Sequence, residues 1–157
     1  VSLLLPLPAS ALNIGDKAPQ IVGRKMDDSL FALSRAVKKP KVINFFWVEC
    51  IPCRKEIPYL AKKEAQYPMV EFIVIHGEVN AETQSNYAMA DIQKFIQSLS
   101  EYPKNIVLGS PLLKQDYDIK GFPASVLLSK DNVVEGYLSG SNDETSLQLD
   151  AWLKRQI

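Results

Sequence analysis

The chain has 157 residues, 46% of them hydrophobic and 23% charged, which suits one globular domain with a core of its own. Lys plus Arg and Asp plus Glu are equal at 18 each, so no net field favours nucleic acid or an anionic membrane. The basic clusters Lys38–Lys39–Lys41 and Lys62–Lys63 read as solvated surface.

Residues 1–11, VSLLLPLPASA, carry no charge and end in Ala9-Ser10-Ala11. They resemble the end of a secretory h-region with a small-residue cleavage site. With Pro6 and Pro8 in so short a run they cannot cross a bilayer, which takes about 20 apolar residues. The expectation is a leader remnant over 1–11 and a mature domain over 12–157. That domain would sit in the periplasm or another extracytoplasmic space, with tethering by an uncleaved leader as the other outcome.

Asn13 to Pro19 is a turn-rich entry. Gln20–Arg24 and Ser29–Leu33 read as short strands around Asp27-Asp28, a hairpin. Val42–Trp47, interrupted only by Asn44, reads as a strand buried on both faces, and Val70–Ile75 as a second. Between them, RKEIPYLAKKEAQ favours helix with a kink at Pro58. From Gln84 to Leu99, the residues Ala88, Ile92, Phe95, Ile96 and Leu99 recur at helical spacing. Leu112–Tyr117 reads as a shorter helix. Ala124–Leu128 and Val133–Leu138 flank Lys130-Asp131-Asn132 as an antiparallel hairpin. Ser141-x-x-Glu144 reads as a capping box opening a last helix, with Leu149, Trp152 and Leu153 facing inward. This order predicts a mixed sheet with helices on both faces, and no repeat or linker marks a second domain.

Both cysteines of the chain, Cys50 and Cys53, stand in the stretch FFWVECIPCRKEIP. A structural disulfide across two residues closes a tiny loop and constrains the unfolded chain little. Two Cys and one His cannot complete the four ligands of a structural zinc site, and copper binding is a minor alternative. Redox chemistry is the reading left. A Cys50 placed at a helix N-terminus would have its thiolate stabilised by unpaired N–H groups and the helix dipole. It would attack a partner disulfide, and Cys53, one turn on, would resolve the mixed disulfide. Pro52 lacks an N–H and suits a first turn.

A second signal is Gly121-Phe122-Pro123-Ala124, directly before a strand, where proline cannot donate to the ladder. With it the chain resembles the exported thioredoxin-fold thiol–disulfide oxidoreductases of the TlpA/ResA type. IGDKAP resembles the family's entry segment, and VINFFWVECIPCRKEIP its strand, active site and kinked helix. DYDIKGFPASVLLSKDNVVEGYLSG resembles its cis-proline strand and hairpin. The segment from His76 to Leu108 matches an extra helix and strand inserted in the central fold.

The resemblance implies an α/β thioredoxin fold: a mixed central sheet flanked by helices, a central αβ insertion and an N-terminal β-hairpin. It implies Cys50 as nucleophile and Cys53 as resolving thiol, with their disulfide as the redox group and no other cofactor or metal. Pro123 becomes the cis-proline against the disulfide. Phe122 offers its backbone to an extended partner peptide, and Ile51 and Pro52 complete the contact surface. Expected partners are protein disulfides, with apocytochrome c among them through cytochrome c maturation, and a membrane thiol carrier as electron donor. No nucleic acid is expected, and a monomer is.

Three departures bear on this. Glu49 stands where the family commonly has Trp, and a carboxylate there opposes thiolate formation. Phe122 replaces a common Thr, which alters the partner groove. Ile51-Pro52 carries no acidic residue between the cysteines. Asn44 occupies the place of the buried acid of cytoplasmic thioredoxins, so proton transfer at Cys53 needs another group or water, for which Glu49 is a candidate. Single residues His76, Trp47 and Trp152 read as structural. The favoured function is a disulfide reductase. Its alternatives are an oxidase or isomerase, a thiol peroxidase (which wants Pro and Thr upstream of its cysteine) and a non-enzymatic binding module.

Overall fold

The structure, a computed structural model, describes residues 12–157. The leader expected over 1–11 lies outside the described residues. Seven strands form one mixed sheet in the order β2-β1-β5-β4-β3-β6-β7. Its centre is β3 (Lys41–Phe46), every residue of which is buried, as an apolar strand must be when helices cover both faces. Parallel to it runs β4 (Glu71–His76), and parallel to that β5 (Asn105–Leu108). On the other side β6 (Ala124–Leu128) and β7 (Val134–Ser139) are antiparallel. An N-terminal hairpin, β1 (Val22–Lys25) and β2 (Leu30–Ala32), extends the sheet by pairing antiparallel with β5. Asp28, at φ 71°, makes the hairpin turn, a conformation that Asp tolerates better than most residues.

Side chains alternate across β3, and the two faces feed two separate cores. Val42 and Phe46 pack with α1 (Cys53–Gln66), α2 (Met89–Gln97) and α4 (Asp143–Lys154). Ile43 and Phe45 pack with the short α3 (Leu113–Asp116) and the N-terminal segment. Each large apolar side chain so buried contributes about 1.5–3 kcal/mol.

Several expectations change in detail. Lys41, expected on the surface, is buried, and its ammonium donates to the Lys39 carbonyl at 2.9 Å. Burial pushes its pKa down. A long aliphatic stem at the start of the central strand accounts for this: the stem packs and the tip reaches back to the chain. The last helix is not capped by Ser141. Asn142 is its N-cap, accepting from the Thr145 amide at 2.9 Å. Ala88, expected on the inward face of α2, instead precedes the helix, and its amide donates to the Asp91 carboxylate. The kinking proline, Pro58, does lie inside α1.

Candidate active site

Parallel strands β3, β4 and β5 all end at the same edge of the molecule, where ligand sites of open α/β sheets form. The chain leaves β3 at Phe46 and turns through Trp47–Pro52 before α1 begins at Cys53. Antiparallel pairing matches Phe45 with Ala124. That register sets the segment just before β6, Phe122-Pro123, beside the segment just after β3. The Phe122–Pro123 peptide bond is cis, and Phe122 and Trp47 rings lie 6.1 Å apart.

Cys50 and Cys53 form a disulfide, with their Cα atoms 5.4 Å apart. The helix begins later than the sequence suggests: Cys50 precedes it, and Pro52 takes the N-cap position. The nitrogens of Arg54, Lys55 and Glu56 bond back to Ile51 and Pro52 carbonyls. The Cys53 amide instead donates to the Cys50 sulfur at 3.3 Å. One backbone donor therefore replaces the expected set of unpaired N–H groups, and it is aimed at the atom that must carry charge. Cys50 is 8% exposed and Cys53 0%. Of the two cysteines, only Cys50 reaches the surface.

It does so in an open groove of about 530 Å³. Trp47, Ile51, Pro52 and Phe122 form its apolar walls, and Glu49, Glu78, Lys114 and Lys120 its polar margin. Ile51 is 78% exposed, so the turn between the cysteines projects an aliphatic side chain to any partner. Trp47, read from sequence as core, lines this groove, held by its indole N–H on the Val79 carbonyl at 3.1 Å. Trp152 is a core residue, 2% exposed, donating to Glu135 at 3.2 Å.

The loop after β4 braces the turn before Cys50. The Val48 amide donates to His76 Nε2 at 3.3 Å. Glu49 accepts from the Ala81 amide at 3.0 Å and from the Tyr87 hydroxyl. Burial, with the Glu49 contact second, raises the Tyr87 pKa to about 12. Burial also lowers the His76 pKa to about 4, so the imidazole is neutral and free to accept. Glu49 is exposed, and its carboxylate is held by the Ala81 amide and the Tyr87 hydroxyl rather than by either cysteine.

Sequence reasoning missed Glu56. It lies three residues after Cys53 on the same helix and is buried, and the Ser141 hydroxyl donates to it at 2.7 Å. Burial pushes its carboxyl above the ordinary range, and the Ser141 bond only partly offsets that. Asn44, on the face of β3 that carries Val42 and Phe46, donates to Ser125 at 2.9 Å. Among the described residues its Oδ1 has no partner. Among the described residues no group of three or more His, Cys, Asp or Glu is placed to hold a metal ion.

Chemically, the arrangement is a two-thiol exchange centre: one sulfur in a groove and a second sealed behind it. Comparison with known proteins agrees. The model of the AhpC/TSA family matches residues 14–136. The thiol–disulfide oxidoreductase ResA of Bacillus thuringiensis subsp. konkukian is 27% identical over 146 residues, 92% of this chain and 79% of that protein. Among solved structures, a putative thiol:disulfide interchange protein DsbE from Chlorobium tepidum superposes with a TM-score of 0.74. It is 22% identical, over 93% of this chain and 99% of that one. A secreted disulfide oxidoreductase of Mycobacterium tuberculosis, 20% identical, gives 0.61 over 83% and 94%. These two likenesses establish the thioredoxin-like fold. The chain belongs to the AhpC/TSA family, and its likeness within that family is to the ResA-type thiol–disulfide oxidoreductases.

Proposed function

We propose that this oxidoreductase is a reductase of protein disulfides that works outside the cytoplasm. The observation that carries the reading is the unequal placement of the two sulfurs, Cys50 at the groove and Cys53 fully buried. In the forward reaction the Cys50 thiolate attacks one sulfur of a partner disulfide. A Cys50–partner bond forms, and the other partner sulfur leaves and takes a proton. Cys53, deprotonated, then attacks Cys50, closing the Cys50–Cys53 disulfide and releasing the second partner thiol. Two electrons pass to the partner, and a donor dithiol must return two electrons and two protons. A membrane thiol carrier is the donor we propose, and apocytochrome c a candidate among the substrates.

Direction is supported by charge. Glu49 immediately precedes the nucleophile, and a nearby carboxylate disfavours the thiolate and so the reduced state, which makes the couple more reducing. Asn44, Ser125, His76 and Glu56 are buried polar residues on the α1 side of the sheet, and Glu56 is the carboxyl among them. Glu56, its carboxyl held protonated more readily than usual, is our candidate to exchange a proton with Cys53. Phe122 and Pro123 would present backbone to the partner, with Ile51 and Pro52 against its side chains. An extracytoplasmic place agrees with the secreted Mycobacterium tuberculosis relative. We take residues 12–157 as one monomeric domain.

The test is the reduction potential of the Cys50–Cys53 couple, with insulin reduction as the activity assay. A potential near about −270 mV is expected, whereas one near about −120 mV would reassign the protein as an oxidant. In the reduced protein, alkylation should label Cys50 well before Cys53. Equal rates would remove the division of roles.

A further inference from the structure

Four charged side chains line the groove around Cys50, and three of them are neutralised locally. Lys114 meets Glu78 at 2.7 Å, and Lys120 meets Asp118 at 2.8 Å. Glu49 differs. Its partners are neutral, the Ala81 amide and the Tyr87 hydroxyl. Among the described residues no Lys or Arg forms an ion pair with it. The loop that holds it is itself fastened, with Asn80 Oδ1 accepting from the Glu82 and Thr83 amides at 2.9 and 3.0 Å. The groove therefore presents one uncompensated negative charge, already fixed in place, at the residue before the nucleophile.

From this we infer that Glu49 is a specificity-determining residue: it favours partner disulfides whose cysteine is flanked by Lys or Arg and disfavours those flanked by Asp or Glu. The inference rests on the oxidoreductase reading and deepens it. A partner must bring its own cysteine to Cys50 Sγ, so residues adjoining that cysteine pass the Glu49 carboxylate. Charge complementarity at such a rim acts mainly on encounter and on register, and like charges are rejected. Two neutral hydrogen bonds preorganise the carboxylate, so less side-chain entropy is lost when a cation meets it. An exposed pair of this kind gives a preference of about fivefold at low salt.

The experiment uses two disulfide peptides that differ only in Lys or Glu beside the cysteine, each normalised to its rate with dithiothreitol. The ratio of their second-order rate constants with the reduced protein is the readout. Both peptides meet the same Cys50, so altered thiolate reactivity cancels in the ratio. Wild type should favour the Lys peptide about fivefold, Glu49→Gln should bring the ratio near one, and Glu49→Lys should invert it. Added salt should shrink the wild-type ratio. A ratio that stays constant across the three proteins overturns the inference. Neutral hydroxyethyl disulfide separates the two failures. If it is reduced while the ratio is constant, only selection by Glu49 fails. If no disulfide is reduced, the oxidoreductase reading fails and takes this inference with it.

Discussion

A carboxyl side chain on the buried stripe of a helix is costly unless it is partnered or protonated. Glu56 is partnered by the Ser141 hydroxyl, and burial raises its pKa toward the neutral form. We expect Glu56→Gln to keep the shape and the Ser141 contact while removing the exchangeable proton. The mixed disulfide on Cys50 should then persist about ten- to a hundredfold longer, as loss of general acid–base help predicts. Rapid acid quench and alkylation would time it, and an unchanged lifetime would leave Glu56 a packing residue. The thiols were legible because both cysteines of the chain stand together. Glu56 hid in the charged run Arg54-Lys55-Glu56, although Cys53, Glu56, Ile57 and Leu60 share one stripe of helical spacing. A Glu on that stripe was the available signal. Glu49 was visible, but its anchors in the loop at 81–87 were not, because nothing local links them.

At the scale of elements, apolar runs with flanking turns located the central strands to within a residue or so, since a doubly covered strand admits no polar alternation. Caps were harder. Within SNDET both Ser141-x-x-Glu144 and Asn142-x-x-Thr145 fit a capping pattern, and Ser and Asn are near equals at the N-cap. Tertiary contact decided it, because the Ser141 hydroxyl is spent on Glu56. The N-terminal hairpin also docks by close approach. A Cβ added to Gly23 would lie 2.5 Å from Val107 Cγ1 and 2.7 Å from the Leu108 carbonyl oxygen. Backbone cannot yield as a side-chain tip can, so Gly23→Ala should destabilise the fold by about 1–3 kcal/mol. Urea unfolding would measure this, with no change expected at the thiols. An unaltered midpoint would mean that β1 shifts freely against β5.

For the molecule as a whole, the one histidine of the chain ties stability to pH. Unfolded, His76 takes a proton near its ordinary value of 6.5, but in the fold burial holds it to about 4. Between those values the unfolded state binds the proton and the native state does not, so stability falls as pH drops from about 6.5 toward 4. The full difference is about 3 kcal/mol. Glu56, with a raised pKa, acts oppositely: its contribution is present below the ordinary Glu value and is lost as pH rises through its folded value. His76→Gln should flatten the acid side of the stability profile. Chemical denaturation at pH 7 and pH 5 would show it, and the imidazole resonance of a lone histidine would report its titration directly. A native titration near 6.5 would remove this account.

Cys50 and Phe122 belong to different halves of the chain, yet they line one groove, brought together through the pairing of β3 with β6. A chain emerging N-terminus first, from a ribosome or through a translocation channel, delivers its dithiol long before the segment at Phe122 that completes the groove around it. During that interval the sulfurs are ordinary exposed thiols, open to whatever oxidant or metal they meet. Order of arrival thus creates a period of vulnerability that the finished architecture gives no hint of. Its length is set by how quickly the second half of the polypeptide follows the first.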